Sequence, residues 1–507
     1  MKDIDLLKLN LNNNKGIHMK CNKLKIGTRK KKTMKRFTSM IAVTSLLIAG
    51  AASAWEATPG KPYEGQTIRA LIVKSSQFSA HEARVAAFEE ATGINFEVDY
   101  VPFSNMKETL TAEMIAAFGD YDIVSVMDQW VASLDNLLEP IDAGVAKRGV
   151  DLSDFPQAHI RHGYLNGELV GLPVRGHVQL LFYRKDLLEQ AGVNPPKTWD
   201  EVITASKAIK ASTGASGIAL PYGKLEGQNL MVWINLLWGN GGELLDDGTP
   251  LFDSAAGIAA TQQYIDLLVK HKVTPAGSAA FVEQDAVDSF KQGNSAMLPI
   301  WWWVRSQLTD PEKSIVTDDQ LGFTALPSVA GADRTTFTNT WIFGVTEGSA
   351  HKAAAVEYLS WLTDPAIERD ILLDQSLKEV VSVHFSNLRD AAVNARWGGM
   401  HQAAADALAT APGMAFSSTW PRRVEILETA ISSFAFKTLL NPGHPEKTPE
   451  QRDAVKLIAK KIINNELGRP YNLLNNYTIL GAAVIIFLSG YLMPAGTIGR
   501  LLEKLYM

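Results

Sequence analysis

Thr67-Ile68-Arg69-Ala70-Leu71-Ile72-Val73-Lys74-Ser75-Ser76-Gln77 is a nearly unbroken apolar run that ends in polar residues. That pattern predicts a strand covered on both faces and open at its carboxyl end. Outward from it, Ser79-Ala80-His81-Glu82 has the spacing of a capping box. Val85 and Phe88 mark the buried side of a helix, and Gly93 supplies its stop. Phe96, Val98 and Tyr100 alternate as a second strand; Met106, Leu110, Met114 and Ala117 recur at helical spacing up to Gly119; Ile123 to Val126 form a third strand. Strands joined by helices predict a parallel sheet with right-handed crossovers. In α/β sheets, ligands bind beyond the carboxyl ends of the strands. Here those ends carry Ser75, Ser76 and Gln77, then Asp128, Gln129 and Trp130.

The 507-residue chain is 46% apolar and 20% charged, ordinary globular material for two or three domains. Its first 54 residues differ: they hold twelve Lys and Arg against Asp3 and Asp5, so the formal charge of −5 leaves about −15 for the rest. An acidic body argues against nucleic acid, whose phosphates need clustered cations. Met34-Lys35-Arg36, the apolar run from Met40 to Gly50 and Ala52-Ser53-Ala54 together predict a secretory signal peptide cleaved after Ala54. Residues 1–33 then precede the initiator Met34, or form a basic arm. Cys21 is the only cysteine, so the exported part has no disulfide, no thiolate metal site and no cysteine nucleophile.

Farther along, Leu172 to Tyr183 reads as a long apolar segment running into Arg184-Lys185-Asp186, and Thr198 with Glu201 forms a capping box. A second α/β region extends to about residue 330. It includes a helix with Trp233, Leu236 and Leu237, a turn at Gly239 to Gly242, an amphipathic helix from Ala256 to Leu268, and the run Ala296 to Trp303. Asn339 to Val345 reads as another strand, and helices follow from His351, one capped by Asp364 with Pro365 in its first turn. No repeat of 20 to 50 residues is visible. From Pro470 to Gly499 there is no charge, and Tyr477 to Met493 is mostly apolar. This tail is either a membrane anchor, a greasy docked helix or a fusion or frameshift scar.

Pro173-Val174, Leu180 to Leu188 and Pro195-Pro196-Lys197-Thr198-Trp199-Asp200-Glu201 resemble the signature of family 1 extracellular solute-binding proteins, the sugar receptors of ABC importers. Phe88 to Ile94, Gly119 to Val124 and Tyr358 to Pro365 are similar to the same family, in the family's order, within a likeness covering about residues 65 to 465. The resemblance implies an α/β, two-lobed periplasmic binding protein fold of type II-like character. Each lobe would be a largely parallel sheet flanked by helices, with inter-lobe crossings near Val174 to Val178 and Ser328 to Asn339. The expected domains are a leader and signal peptide (1–54), an N-terminal lobe (62–174 and about 335–385), a C-terminal lobe (178–328 plus helices to about 466) and the tail (470–507).

A sugar offers hydroxyls at its edge and C–H faces above and below, so its site needs planar polar groups and aromatic rings. All twelve tryptophans lie at or after Trp55. The candidate ligand-binding residues are Ser76, Gln77, Asp128, Gln129, Trp130, Arg175, His177, Trp233, Trp301, Trp303 and Trp341. Asp128 could instead cap the next helix. Arg175 offers a rigid fork suited to vicinal hydroxyls, a carboxylate or a phosphate, or else forms an inter-lobe ion pair. His177 stands where maltose-binding relatives carry an acidic sugar ligand, which argues against a maltodextrin substrate. Within an extended Trp301-Trp302-Trp303, alternation puts Trp301 and Trp303 on one face.

The expected function is capture of a sugar, polyol or glycoside for delivery to ABC permease subunits, by a monomer in the periplasm, without cofactor or metal. A periplasmic glycoside hydrolase or a binder of another small solute is the alternative. No P-loop, G-x-S-x-G, H-E-x-x-H or dinucleotide fingerprint is present, and no carboxylate pair stands in a catalytic motif.

Overall fold

A computed structural model describes residues 55–432, apart from 117–118, 226, 247–248, 251–253, 330, 334–335, 415, 417–419, 421–422, 426 and 430. The expected leader and signal peptide, Cys21 and the apolar tail lie outside the described residues. No helix among those described is long and apolar enough to cross a membrane.

Eight strands build the main sheet: β1 (Thr67–Val73), β2 (Asn95–Val101), β3 (Ile123–Met127), β4 (Gly171–Arg184), β5 (Ser216–Ile218), β6 (Ser295–Trp301), β7 (Leu321–Ala325) and β8 (Thr338–Val345). Their order is β2-β1-β3-β8-β4-β6-β5, with β7 also on β4. The β1–β2, β1–β3 and β6–β5 pairs are parallel, as helical crossovers dictate. The other pairs are antiparallel, because β8 and the elements beside β4 return against it, so the sheet is mixed.

The 14-residue β4 organises the fold, since at ~3.3 Å per residue it spans ~46 Å. Gly171 to Val178 pair with β8, and Gln179 to Arg184 pair with β6 and β7. Two hydrophobic cores sit along it. The first gathers Ile68, Ala70 to Val73, Phe88, Val124, Leu172, Val174, Trp341 and Tyr358. The second gathers Val178, Leu180 to Phe182, Trp199, Leu236, Tyr264, Met297, Trp302 and Met400. Ile371, Leu372, Val380 and Val381 lie in the second core although they precede residue 385, and Val383 lies in the first. Trp397 holds that stretch by donating its Nε1–H to the Leu372 carbonyl at 2.9 Å.

The capping box at Thr198 and Glu201 is present, as is the Asp364 cap ahead of Pro365. The box expected at Ser79-Ala80-His81-Glu82 is not. Ser75 instead caps a single turn, Ser76–Ser79, and a new helix, Glu82–Thr92, starts behind His81 without a side-chain cap. Glu82 hydrogen-bonds Tyr100, so its carboxylate is drawn across to β2.

Register shifts between Trp341 and Ile342, where β4 presents Val174 without a partner between Pro173 and Arg175. Proline has no N–H to give a ladder, and a bulge beside it re-aims the following side chains. Gly176 follows at once. A Cβ there would overlap the His159 imidazole, and the Gly176 carbonyl accepts the Trp302 Nε1–H at 3.1 Å. Gly176→Ala is therefore expected to destabilise the protein by about 1–3 kcal/mol through overpacking. Urea unfolding with an unchanged midpoint would contradict this.

Candidate ligand-binding site

Arg175 sits opposite Trp341 in the ladder. Its guanidinium carbon lies 5.7 Å from the ring centroid of Phe78 and 5.7 Å from that of Trp303. Phe78 belongs to the turn after β1 and to the first core; Trp303 follows β6 and packs on the second. One side chain thus touches aromatic groups from both cores. His177, two residues on and so on the same face of the strand, has its ring 5.9 Å from Trp301 and 6.1 Å from Trp303.

Burial draws the Arg175 pKa down to about 10, against the opposing pull of Glu379. The Arg175 Nε is shielded from solvent and has no hydrogen-bond partner. Burial first, then the Arg175 charge, hold His177 well below the usual imidazole range, so it is neutral at pH 7. Its Nδ1 is buried without a partner. Glu379 accepts from the Ser76 hydroxyl at 2.5 Å and from the Ser306 hydroxyl at 3.1 Å, clasping groups from the two sides.

An aromatic wall continues from Phe78. Trp341 meets Phe78 edge-on at 5.9 Å, Trp130 at 5.7 Å and Phe103 at 6.1 Å, while Phe103 stacks on Trp130 at 6.3 Å. Phe103 is 45% exposed, an apolar ring left open to solvent beside half-buried Trp130 and Gln129.

The structure brings Arg175, His177, Trp130, Trp301, Trp303 and Trp341 into this connected group, and attaches Ser76 through Glu379. Trp301 and Trp303 do both neighbour His177, but not by strand alternation. The strand ends at Trp301, and Trp302–Val304 form a 3-10 turn that sends Trp302 into the core. Trp301 is itself largely buried and donates to the Gln228 Oε1 at 3.2 Å.

Other candidates have structural partners. Asp128 is buried and accepts from the Thr340 backbone N–H at 2.7 Å, the Asn339 Nδ2 at 2.8 Å and the Gln129 N–H at 2.7 Å, pinning β8 to the end of β3. Burial raises its pKa well above the usual carboxylate range despite those bonds. Gln77 is buried and donates its Nε2–H to the Val381 carbonyl at 3.0 Å, away from the aromatic wall. Trp233 lies in the second core with its indole N–H on the Thr261 hydroxyl at 2.9 Å.

Phe78, Phe103 and Glu379 were not among the sequence candidates. Phe103 opens the helix after β2, so the strand-end rule that singles out Asp128 to Trp130 also points to it. Phe78 adjoins Gln77. Glu379 carries no sequence signal, because only tertiary folding brings it to Ser76.

Aromatic and polar side chains from two cores that share a long strand thus converge around Arg175 and His177. Residues 74–368 match the model of the bacterial extracellular solute-binding protein family, and the chain belongs to that family. It is similar to the "Probable amino-acid ABC transporter periplasmic-binding protein" of Sinorhizobium fredii, at 31% identity over 321 residues, 61% of this chain and 71% of that one. Among solved structures it is similar to maltose-bound MalE3 of T. maritima (TM-score 0.64, 23% identity, 78% of this chain and 98% of that one). It is also similar to an ABC transporter solute-binding protein of Agrobacterium radiobacter in complex with ribitol (TM-score 0.63, 22% identity, 79% and 100%). At these identities the solved structures establish the two-lobed periplasmic-binding fold.

Proposed function

We propose that this chain is the solute-capturing component of an ABC importer, that it binds a sugar, polyol or glycoside between its two cores, and that it hands the solute to membrane permease subunits. The observation that carries the reading is Arg175 held between Phe78 and Trp303, beside His177 and the Trp130–Trp341 wall. Rings suit the C–H faces of a sugar, and the fork of an arginine suits its edge. Maltose and ribitol in the two similar structures favour this solute class; the name of the S. fredii relative points to another.

Contacts from both sides favour a closed state that the permease reads, a population shift. An enzymatic role is disfavoured because hydrolysis needs two available carboxylates, whereas Asp128 and Glu379 are each engaged by protein donors. The same reading has the chain acting as a periplasmic monomer, without nucleic acid.

Intrinsic tryptophan fluorescence titrated with sugars, polyols and amino acids tests the proposal, and a saturable response to a sugar or polyol is expected. Trp303→Ala should weaken that binding by at least about tenfold, as loss of a stacking anchor does. Because Trp303 is half-buried, its melting temperature should stay close to that of the parent. A response to amino acids alone, or hydrolysis of a chromogenic glycoside, would overturn it.

A further inference from the structure

Arg175 is a charged group without an ion-pair partner. Among the described residues no carboxylate lies within ion-pair distance of it, whereas Arg184 pairs with Asp186 at 2.5 Å and Arg305 with Asp318 at 2.9 Å. The nearest influence of opposite sign, Glu379, acts from beyond ion-pair distance and accepts hydrogen bonds from Ser76 and Ser306. Leaving a guanidinium partly desolvated and unpaired is costly unless something completes it. The rings of Phe78 and Trp303 are apolar neighbours and supply no hydrogen-bond acceptor in its plane. The in-plane N–H groups of a guanidinium match a carboxylate in bidentate fashion.

Resting on the solute-capture reading above, we propose that the occupant is an acidic sugar, a uronic or aldonic acid, whose carboxylate docks on Arg175 while its carbon skeleton and hydroxyls meet Trp303 and His177. The convergent residues supply one cation, since His177 is neutral; a single guanidinium balances a monoanion and leaves a phosphate dianion half compensated. An amino acid fits less well. Its ammonium would sit beside the like charge of Arg175, and Asp128 and Glu379 already accept hydrogen bonds from protein donors.

The test is calorimetric titration of the full chain with matched pairs: galacturonate against galactose, gluconate against sorbitol, with galactose 1-phosphate and glutamate as further arms. The acid of each pair is expected to bind on the order of ten- to a hundredfold more tightly than its neutral partner, the scale of a charged hydrogen-bonded pair. Arg175→Gln should bring the two toward parity, and Arg175→Lys should keep part of the preference. Wild-type protein that binds neutral sugars as well as acids, that prefers the phosphate, or that takes glutamate overturns the proposal, as does Arg175→Gln with the preference intact. Binding of neutral sugars without acid preference removes this inference alone. Failure of every sugar and polyol to bind removes the solute-capture reading with it. The wild-type pairs decide the matter even if Arg175→Gln does not fold.

Discussion

Glu368→Ala is expected to lower the unfolding free energy by about 3–5 kcal/mol, the scale for removing one partner of a buried ion pair. Glu368 is 8% exposed, and its carboxylate is ringed by donors. Its Oε1 accepts the Val383 N–H at 2.7 Å; its Oε2 accepts from the Ser382 hydroxyl at 2.6 Å, the Asn387 Nδ2 at 2.8 Å and the His384 Nδ1 at 3.0 Å. Burial alone would raise the Glu368 pKa, but the His384 charge and these bonds outweigh it and hold the carboxyl below its ordinary value. Burial alone would lower His384, yet Glu368 keeps it raised.

The pair is complete between the unfolded pKa values of the two groups, about 4.3 and about 6.5. The Glu368 part is present above its unfolded pKa and fades as pH falls through the lowered value; the His384 part is present below about 6.5 and fades as pH rises through the raised one. Alanine strands four donors at once, one of them charged. Glu368→Gln keeps the volume and an acceptor, so it should cost less than alanine while still leaving His384 without its counter-charge. Equal urea midpoints for wild type and Glu368→Ala would show that the cluster contributes nothing net.

Lowering the pH from 7 to 5 should destabilise the protein strongly, through other histidines. Burial, the largest cause in each, draws His81 and His159 down to about 4, His162 and His401 down to about 3, and His177 well below its ordinary range. A group whose folded pKa is depressed binds protons in the unfolded state first. Folding therefore loses free energy as pH falls below about 6.5, and the loss continues until the folded group also titrates. At 1.36 kcal/mol per unit, each of His81, His159, His162 and His401 costs about 2 kcal/mol at pH 5. Thermal unfolding between pH 7.5 and 5 should show the melting temperature falling with a slope that steepens below 6.5. A flat profile would mean that these imidazoles protonate in place.

How much of this could be read beforehand varies along the chain. The β1 to β3 unit and the Thr198 and Asp364 caps were legible because local pattern and tertiary structure agree there. The Ser79 box misled because the spacing is right while Ser75 competes for the same turn, and Glu82 finds Tyr100. The antiparallel returns onto β4 were illegible, since strand direction depends on partners more than a hundred residues away. In the site, Arg175, His177 and Trp303 were legible as chemistry-bearing residues near a crossing. Asp128 shows the limit: a polar residue at a strand end looks the same in sequence whether it meets a ligand or pins a neighbouring strand.

Strand β4 is continuous from one core to the other, and the irregularity in its ladder falls at Val174, next to Arg175. A shared strand resists sliding, so any relative movement of the two cores would be bending, and a bulge is a place where a strand bends. Arg175 then stands at the fulcrum. Near a fulcrum, displacements are small however wide the outer jaws swing, so the grip on the anionic end of a solute would persist through opening while contacts at the rim come and go. Such a receptor would release its cargo in sequence, rim first and pivot last.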